Sequence, residues 1–203
     1  MCLKKLLMSM SLISTLQISM FGVRCCFMRK LIVAALVLSL STSLVQAQSF
    51  TWTIVNWKVR HDFPNVKRIT PKGVADWRND PKRTQPMLLD VRTKAEFDVS
   101  HIPGSQRVDP TADATVISLP RDQPVVTYCS VGYRSGAFAQ KLQKAGYKNV
   151  QNMSGSIFQW ANEGRPMESN GKRAATVHPY NARWGKLVRP ELRAKVPPAG
   201  AGL

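Results

Sequence analysis

Two short apolar runs, each followed by a helix-forming stretch, limit the fold more than any other feature. They are Met87-Leu88-Leu89-Asp90-Val91 and Pro124-Val125-Val126-Thr127-Tyr128. Neither alternates apolar with polar residues, so each reads as a buried strand. After the second run the spacing predicts a helix over 134–147. Phe138, Leu142 and Ala145 share one face, Lys141 and Lys144 sit near the negative end, and Gly146 suits the C-cap. Shorter strands are expected at 50–55, where Phe50, Trp52 and Ile54 alternate, and at 66–69, 106–108 and 150–152. A helix should open at Thr70-Pro71 and run to about Trp77, stopped by Asn79-Asp80-Pro81. One helical turn is expected over 94–97 and a last helix over 157–162, ended by Gly164 and Arg165-Pro166. Strands and helices alternate. The predicted class is therefore α/β, with a mainly parallel central sheet and helices on both faces.

The first 47 residues have a different texture. Residues 28–47 read as a signal peptide: Arg29 and Lys30, an apolar stretch from Leu31 to Leu40, then the cleavage box Val45-Gln46-Ala47 ahead of Gln48. The apolar stretch is about half of the ~20 residues that a spanning helix needs. Residues 1–27 fit badly in front of it and are expected to be an over-extended start, with translation from Met28; a long signal anchor is the alternative. Periplasmic localisation, with no stable membrane span after cleavage, is the expectation.

Cleavage changes the charge and thiol inventory. The whole chain has 29 Lys and Arg, 12 Asp and Glu, and a net charge of +17. Residues 1–47 hold five basic residues and no acidic one, so 24 basic residues remain against 12 acidic. Cysteines stand at 2, 25, 26 and 129, so only Cys129 remains after cleavage. A lone thiol cannot close an intramolecular disulfide, and the spacing supports neither a disulfide scaffold nor a zinc ribbon. The expected organisation is a lead-in over 48–64, a domain over 65–166, and a basic, Pro- and Gly-containing extension over 167–203, partly draped on the domain and partly disordered.

Cys129 stands where a predicted strand meets a predicted helix, and ligands bind beyond the carboxyl ends of such strands. The helix N-terminus offers unpaired N–H groups and a partial positive charge, which favour a thiolate. Gly132 lets the loop curl into an anion-binding nest, and Arg134 adds a planar cation suited to an oxyanion. The segment Cys129-Ser130-Val131-Gly132-Tyr133-Arg134-Ser135 thus suits a nucleophilic thiolate acting on a small, oxygen-rich anion.

Four ordered blocks resemble the rhodanese family of single-domain sulfurtransferases. They are Leu88-Leu89-Asp90-Val91-Arg92 with Glu96-Phe97; His101-Ile102-Pro103-Gly104-Ser105; the Cys129–Ser135 loop; and Val150, Met153, Gly155 and Trp160 with Gly164 and Pro166. The resemblance spans about Val66 to Pro166. It implies a rhodanese-like fold in which Cys129 attacks the outer sulfur of thiosulfate, releases sulfite and carries a persulfide to cyanide or a thiol. Ser130, Val131, Gly132, Tyr133, Arg134 and Ser135 would bind the anion, with Arg134 orienting the sulfonate and Ser130 and Tyr133 tuning donor choice. Backbone donors of this kind are worth about 2.7–4 kcal/mol each in other enzymes. Asp90, Arg92, Glu96 and His101 would be structural support, Arg92 pairing with Glu96 or Asp98 and His101 holding its turn. The family often has Gly-Gly where this chain has Ser154-Gly155-Ser156, so the substrate-side wall is expected to differ.

No metal or organic cofactor is implied. His61 and His178 lack metal-ligating neighbours at useful spacing and are expected at the surface. Trp52, Trp57, Trp77 and Trp160 are expected to pack. Four residues separate Cys129 from Arg134, where a phosphatase or arsenate reductase on the same fold needs five. The expected partners are a small anionic sulfur donor and a thiol or cyanide acceptor, with a protein acceptor as a further candidate. Nucleic acid is not expected. The competing reading is a periplasmic sulfur carrier without turnover.

Overall fold

A computed structural model describes residues 51–196. The expected signal peptide, the residues before it and the last seven residues lie outside that range. No helix among the described residues is long and apolar enough to cross a membrane.

The central sheet has five strands: β1 (Lys67–Ile69), β2 (Met87–Asp90), β3 (Gln106–Arg107), β4 (Val125–Tyr128) and β5 (Val150–Met153). Their order is β1-β5-β4-β2-β3, and every pairing is parallel. All four residues of β4 are buried, so helices and loops cover both faces at the centre of the sheet. The expected α/β class is what the chain adopts.

The helices begin where local chemistry satisfies their first N–H groups. In α2 (Pro71–Arg78) the Thr70 side chain accepts from Gly73 N–H and proline takes the first position. In α3 (Lys94–Val99) Thr93 and Glu96 form a reciprocal capping box. Helix α4 (Tyr133–Lys144) ends three residues before the expected limit. There Gly146 N–H bonds Gln143 C=O and Tyr147 N–H bonds Leu142 C=O, a Schellman closure. Helix α5 is Ser156–Asn162.

Residues 51–62 are helical, and this corrects the strand expected at 50–55. The Trp52/Ile54 alternation was the weaker signal. Val55, Val59 and Phe63 recur every four residues, and all three are buried in the core. This helix, α1, also corrects the packing role expected of Trp57. That ring is 60% exposed and stacks on His61 one turn away, at 5.2 Å between centroids. Trp77 and Trp160 are buried as expected.

The extension folds against the domain as far as residue 196. It contains an antiparallel hairpin of β6 (Met167–Ser169) and β7 (Lys172–Ala174), a single turn α6 (Ala182–Gly185) and a 3-10 turn at Pro190–Leu192. Val177, Leu187 and Val188 join the same core as the sheet. Asn162 of α5 fastens it by donating to Leu187 C=O and accepting from Arg189 N–H, at 2.8 and 3.0 Å. His178 is buried here rather than exposed, because its segment turns back onto the domain; its Nδ1 accepts from Tyr180 N–H at 2.9 Å.

Candidate active site

Strand β4 delivers Cys129 to the carboxyl edge of the sheet, and the loop to α4 wraps around its sulfur. The loop's carbonyls are used from outside. Cys129 and Ser130 C=O accept from Ile157 and Phe158 N–H at the start of α5, and Gly132 C=O accepts from Gly136 N–H and Asn152 Nδ2. The Gly132 N–H faces the thiol at 3.2 Å from Sγ, and the Ser135 N–H also supports the sulfur. Gly132 has φ 110°, a conformation that side chains disfavour, and it begins α4 without a side-chain cap. The residue that opens the helix therefore gives its N–H to the sulfur.

Cys129 is 1% exposed and is the free cysteine among the described residues. Burial pushes its thiol up. The Arg134 charge and hydrogen bonds from Ser135 and Gly132 outweigh burial and hold it below the ordinary value. The Ser135 hydroxyl donates to Asn152 Oδ1 at 2.7 Å, which fixes the residue at the start of α4.

Glu96, expected as structural support, holds two residues of the Cys129 loop directly. Its fully buried carboxylate takes a two-pronged grip from Arg134, with Nη1–Oε2 2.8 Å and Nη2–Oε1 2.7 Å, and accepts from Ser130 Oγ at 2.8 Å. Burial alone would raise the Glu96 carboxyl. Arg134, Arg92 and Ser130 hold it at about 2. Arg134 also bonds Ser130 Oγ at 2.9 Å, and its guanidinium lies 4.8 Å from the centre of the Tyr180 ring. Three of its five N–H donors are engaged, leaving two.

Arg92 does not pair with Glu96 or Asp98 by hydrogen bond. It grips Asp90 at 2.8 and 2.6 Å and Ser100 C=O at 2.6 Å, all fully buried, while Asp98 pairs with Lys94. The fork of Arg92 matches a carboxylate two residues away on the same strand end, whereas Glu96 is held by Arg134. His101 Nδ1 bonds Phe97 C=O at 3.0 Å and its ring stacks on Phe97 at 3.8 Å. Tyr128 Oη then ties the turn to β4, accepting from Ile102 N–H and pairing with Ser105 Oγ. Among the described residues no cluster of His, Cys, Asp and Glu could hold a metal.

Several residues at this site escaped sequence reasoning. Ser156 is not a substrate-side wall. Its buried Oγ accepts from Cys129 N–H at 3.1 Å and donates to Met153 C=O at 3.0 Å, beneath the loop. Above the sulfur lies a pocket of about 530 Å³. Cys129, Val131 and Arg134 form its floor, α1 supplies Ile54 and Lys58 on one side, and the extension supplies Tyr180, Arg183 and Trp184. Its walls come from segments far apart in sequence, which only the folded chain brings together.

Residues 70–163 match the model of the rhodanese-like domain. A sulfurtransferase of Allochromatium vinosum is 35% identical over 82 residues, covering 40% of this chain and 77% of the relative. The probable adenylyltransferase/sulfurtransferase MoeZ of Mycobacterium tuberculosis is 32% identical over 101 residues, covering 48% of this chain. The match spans 25% of that relative's length. Among solved structures, a rhodanese-like domain protein from Staphylococcus aureus aligns with a TM-score of 0.46 at 22% identity, covering 52% of this chain and 100% of that one.

Proposed function

This chain belongs to the rhodanese-like domain family of sulfurtransferases, and we propose that it moves sulfane sulfur from thiosulfate or a related donor to a thiol or cyanide through a persulfide on Cys129. The observation that carries the reading is the buried Cys129 sulfur, met by the Gly132 N–H and held toward its thiolate by Arg134. The thiolate's electron pair attacks the outer sulfur of thiosulfate. One S–S bond forms to Sγ, and the S–S bond of thiosulfate breaks with its pair leaving on sulfite. The persulfide keeps one negative charge, and the loop N–H groups that faced the thiolate are placed to hold it. The two remaining donors of Arg134 suit the sulfonate end. The acceptor's own electron pair then attacks the terminal sulfur and returns Cys129 as thiolate.

In the same reading the protein works outside the cytoplasm. The apolar run from Leu31 to Leu40 ahead of Val45-Gln46-Ala47 supports export, with cleavage near Gln48. Intact-mass measurement of protein purified after export tests both parts. The expected result is a chain beginning near Gln48 that gains the mass of one sulfur on exposure to thiosulfate. Cys129→Ser should abolish the gain and the formation of thiocyanate from cyanide. Wild-type protein that never gains sulfur from any sulfane donor would refute sulfur transfer, and a chain retaining residues 1–47 after export would refute cleavage.

A further inference from the structure

The pocket over Cys129 is much larger than thiosulfate or cyanide requires. Thiosulfate has five heavy atoms, and at a share of about 30 Å³ for an atom the size of water it fills on the order of 150 Å³. The pocket holds about 530 Å³, within the range of roughly 300–1,000 Å³ that buries an organic ligand. The extra room is lined by the side chains of Ile54 and Val131, the rings of Tyr180 and Trp184, and the cations Lys58 and Arg183, with no carboxylate among its lining residues. Ile54, Tyr180, Arg183 and Trp184 all lie outside residues 70–163, the part that matches the family.

The walls are fixed in advance. Asn181 Oδ1 accepts from Trp184 N–H at 3.0 Å and sets the turn that carries Arg183 and Trp184. Asn162 holds the chain just beyond it through Leu187 and Arg189. Tyr180 is kept at φ 64° with its N–H on buried His178 and its ring against Arg134. Opposite, Ile54 remains 49% exposed on α1 although it borders a buried catalytic thiol.

The cations differ in what they can offer. Arg134 is balanced by Glu96, and Lys58 is held by Asp62 at 2.8 Å. Arg183 is exposed, and no carboxylate pairs with it among the described residues. An occupant that fits must reach the sulfur with a narrow end, fill the space between Ile54 and Trp184 with an apolar body, and place an anion near Arg183.

We infer that the sulfur acceptor is an organic thiol with an apolar body and an anionic group, seated between α1 and the C-terminal extension. This inference rests on the sulfur-transfer reading above. The acceptor thiol gives its proton to solvent, and its thiolate attacks the terminal sulfur of the Cys129 persulfide. A new S–S bond forms on the acceptor, the bond to Sγ breaks, and its electron pair stays on Cys129. Sulfane sulfur moves with no net oxidation or reduction. Ile54 and Trp184 determine which acceptors fit, and Arg183 selects their charge.

Turnover of preformed persulfide by three alkyl thiols tests this: para-(mercaptomethyl)benzoate, its neutral benzamide, and the small anion mercaptopropionate. In wild-type protein the benzoate should exceed mercaptopropionate in kcat/KM by about tenfold, expressed mainly in KM. It should exceed the benzamide by about threefold, a margin that shrinks in high salt. Trp184→Ala should reduce the first ratio toward unity. Arg183→Glu, at an exposed position that does not challenge folding, should reverse the second. Equal kcat/KM for the three thiols in a protein that forms persulfide would overturn this inference and leave sulfur transfer standing. Ratios that neither variant moves would also overturn it. Absence of any persulfide would overturn both readings.

Discussion

Replacing Glu96 by Gln removes a charge while keeping the size and part of the hydrogen bonding of the group that organises the site. Its carboxylate is fully buried, gripped twice by Arg134 and bonded by Ser130 Oγ. The carboxyl is held at about 2 rather than its usual 4.5, which corresponds to about 3 kcal/mol of stability at neutral pH. The sign follows from linkage: a carboxyl lowered in the folded state contributes fully above about 4.5 and loses that contribution as pH falls toward about 2. Breaking a fully buried pair typically costs about 3–5 kcal/mol. The Arg134 side chain is 24% exposed, so water recovers part of its solvation and the lower end applies. Glu96→Gln should therefore lose about 3 kcal/mol at pH 7, roughly 6–12 °C in Tm for a domain of this size. The difference from wild type should narrow as pH falls below 4.5. The same variant should move the Cys129 thiol further down, since Arg134 then acts on the sulfur without a balancing anion. Thermal denaturation across pH and the pH dependence of alkylation by iodoacetamide measure the two effects. A stability difference that stays constant as pH falls, or a thiol that titrates higher in the variant, would refute the reasoning.

Three further perturbations probe neighbouring parts of the argument. Arg134→Gln removes the largest influence opposing burial of Cys129, so the pH midpoint for persulfide formation should move upward; a downward movement would show that Arg134 does not stabilise the thiolate. Gly136→Ala would place a Cβ 2.7 Å from Phe63 Cδ2, so the Phe63 ring, just after α1, must yield; a loss of about 1–3 kcal/mol in urea unfolding is expected, and unchanged stability would mean that Phe63 does not pack there. Leu187→Ala empties a core position in the extension and should cost about 2–5 kcal/mol in the same assay, whereas a loss below about 0.5 kcal/mol would separate the extension from the core.

What could be read from sequence follows a physical division between local and long-range chemistry. The β4 run, the thiol after it and Gly132 with Arg134 are a continuous stretch in which each residue constrains the next, so strand, loop and helix were legible together. The cap at Thr70 belongs to the same class, since it bonds within three residues. Helix α1 was missed through competing local periods. Trp52 and Ile54 favoured a strand, and the four-residue spacing of Val55, Val59 and Phe63 emerges only over a longer window. Arg92 departs from the pairing expected with Glu96 or Asp98 because the strand end presents Asp90 to its fork.

The pocket belongs to the other class. Its floor was legible, because Cys129 to Arg134 are consecutive, but its walls were not. Val177, Leu187 and Val188 are three aliphatic side chains in a basic, proline-containing stretch, too sparse for any period to reveal. Their burial nonetheless fixes the extension, and Asn162 and Asn181 then hold Arg183 and Trp184 in the wall of the pocket over Cys129. The proposed chemistry and the proposed acceptor selectivity therefore have separate origins in this chain. The thiolate, its N–H cradle and the Arg134–Glu96 pair lie within residues 70–163, where the family match lies. The remaining walls of the pocket over Cys129, from α1 and the extension, lie before and after it. Under the proposed sulfur transfer, changes in α1 or in the extension should alter the acceptor while leaving the Cys129 loop in place.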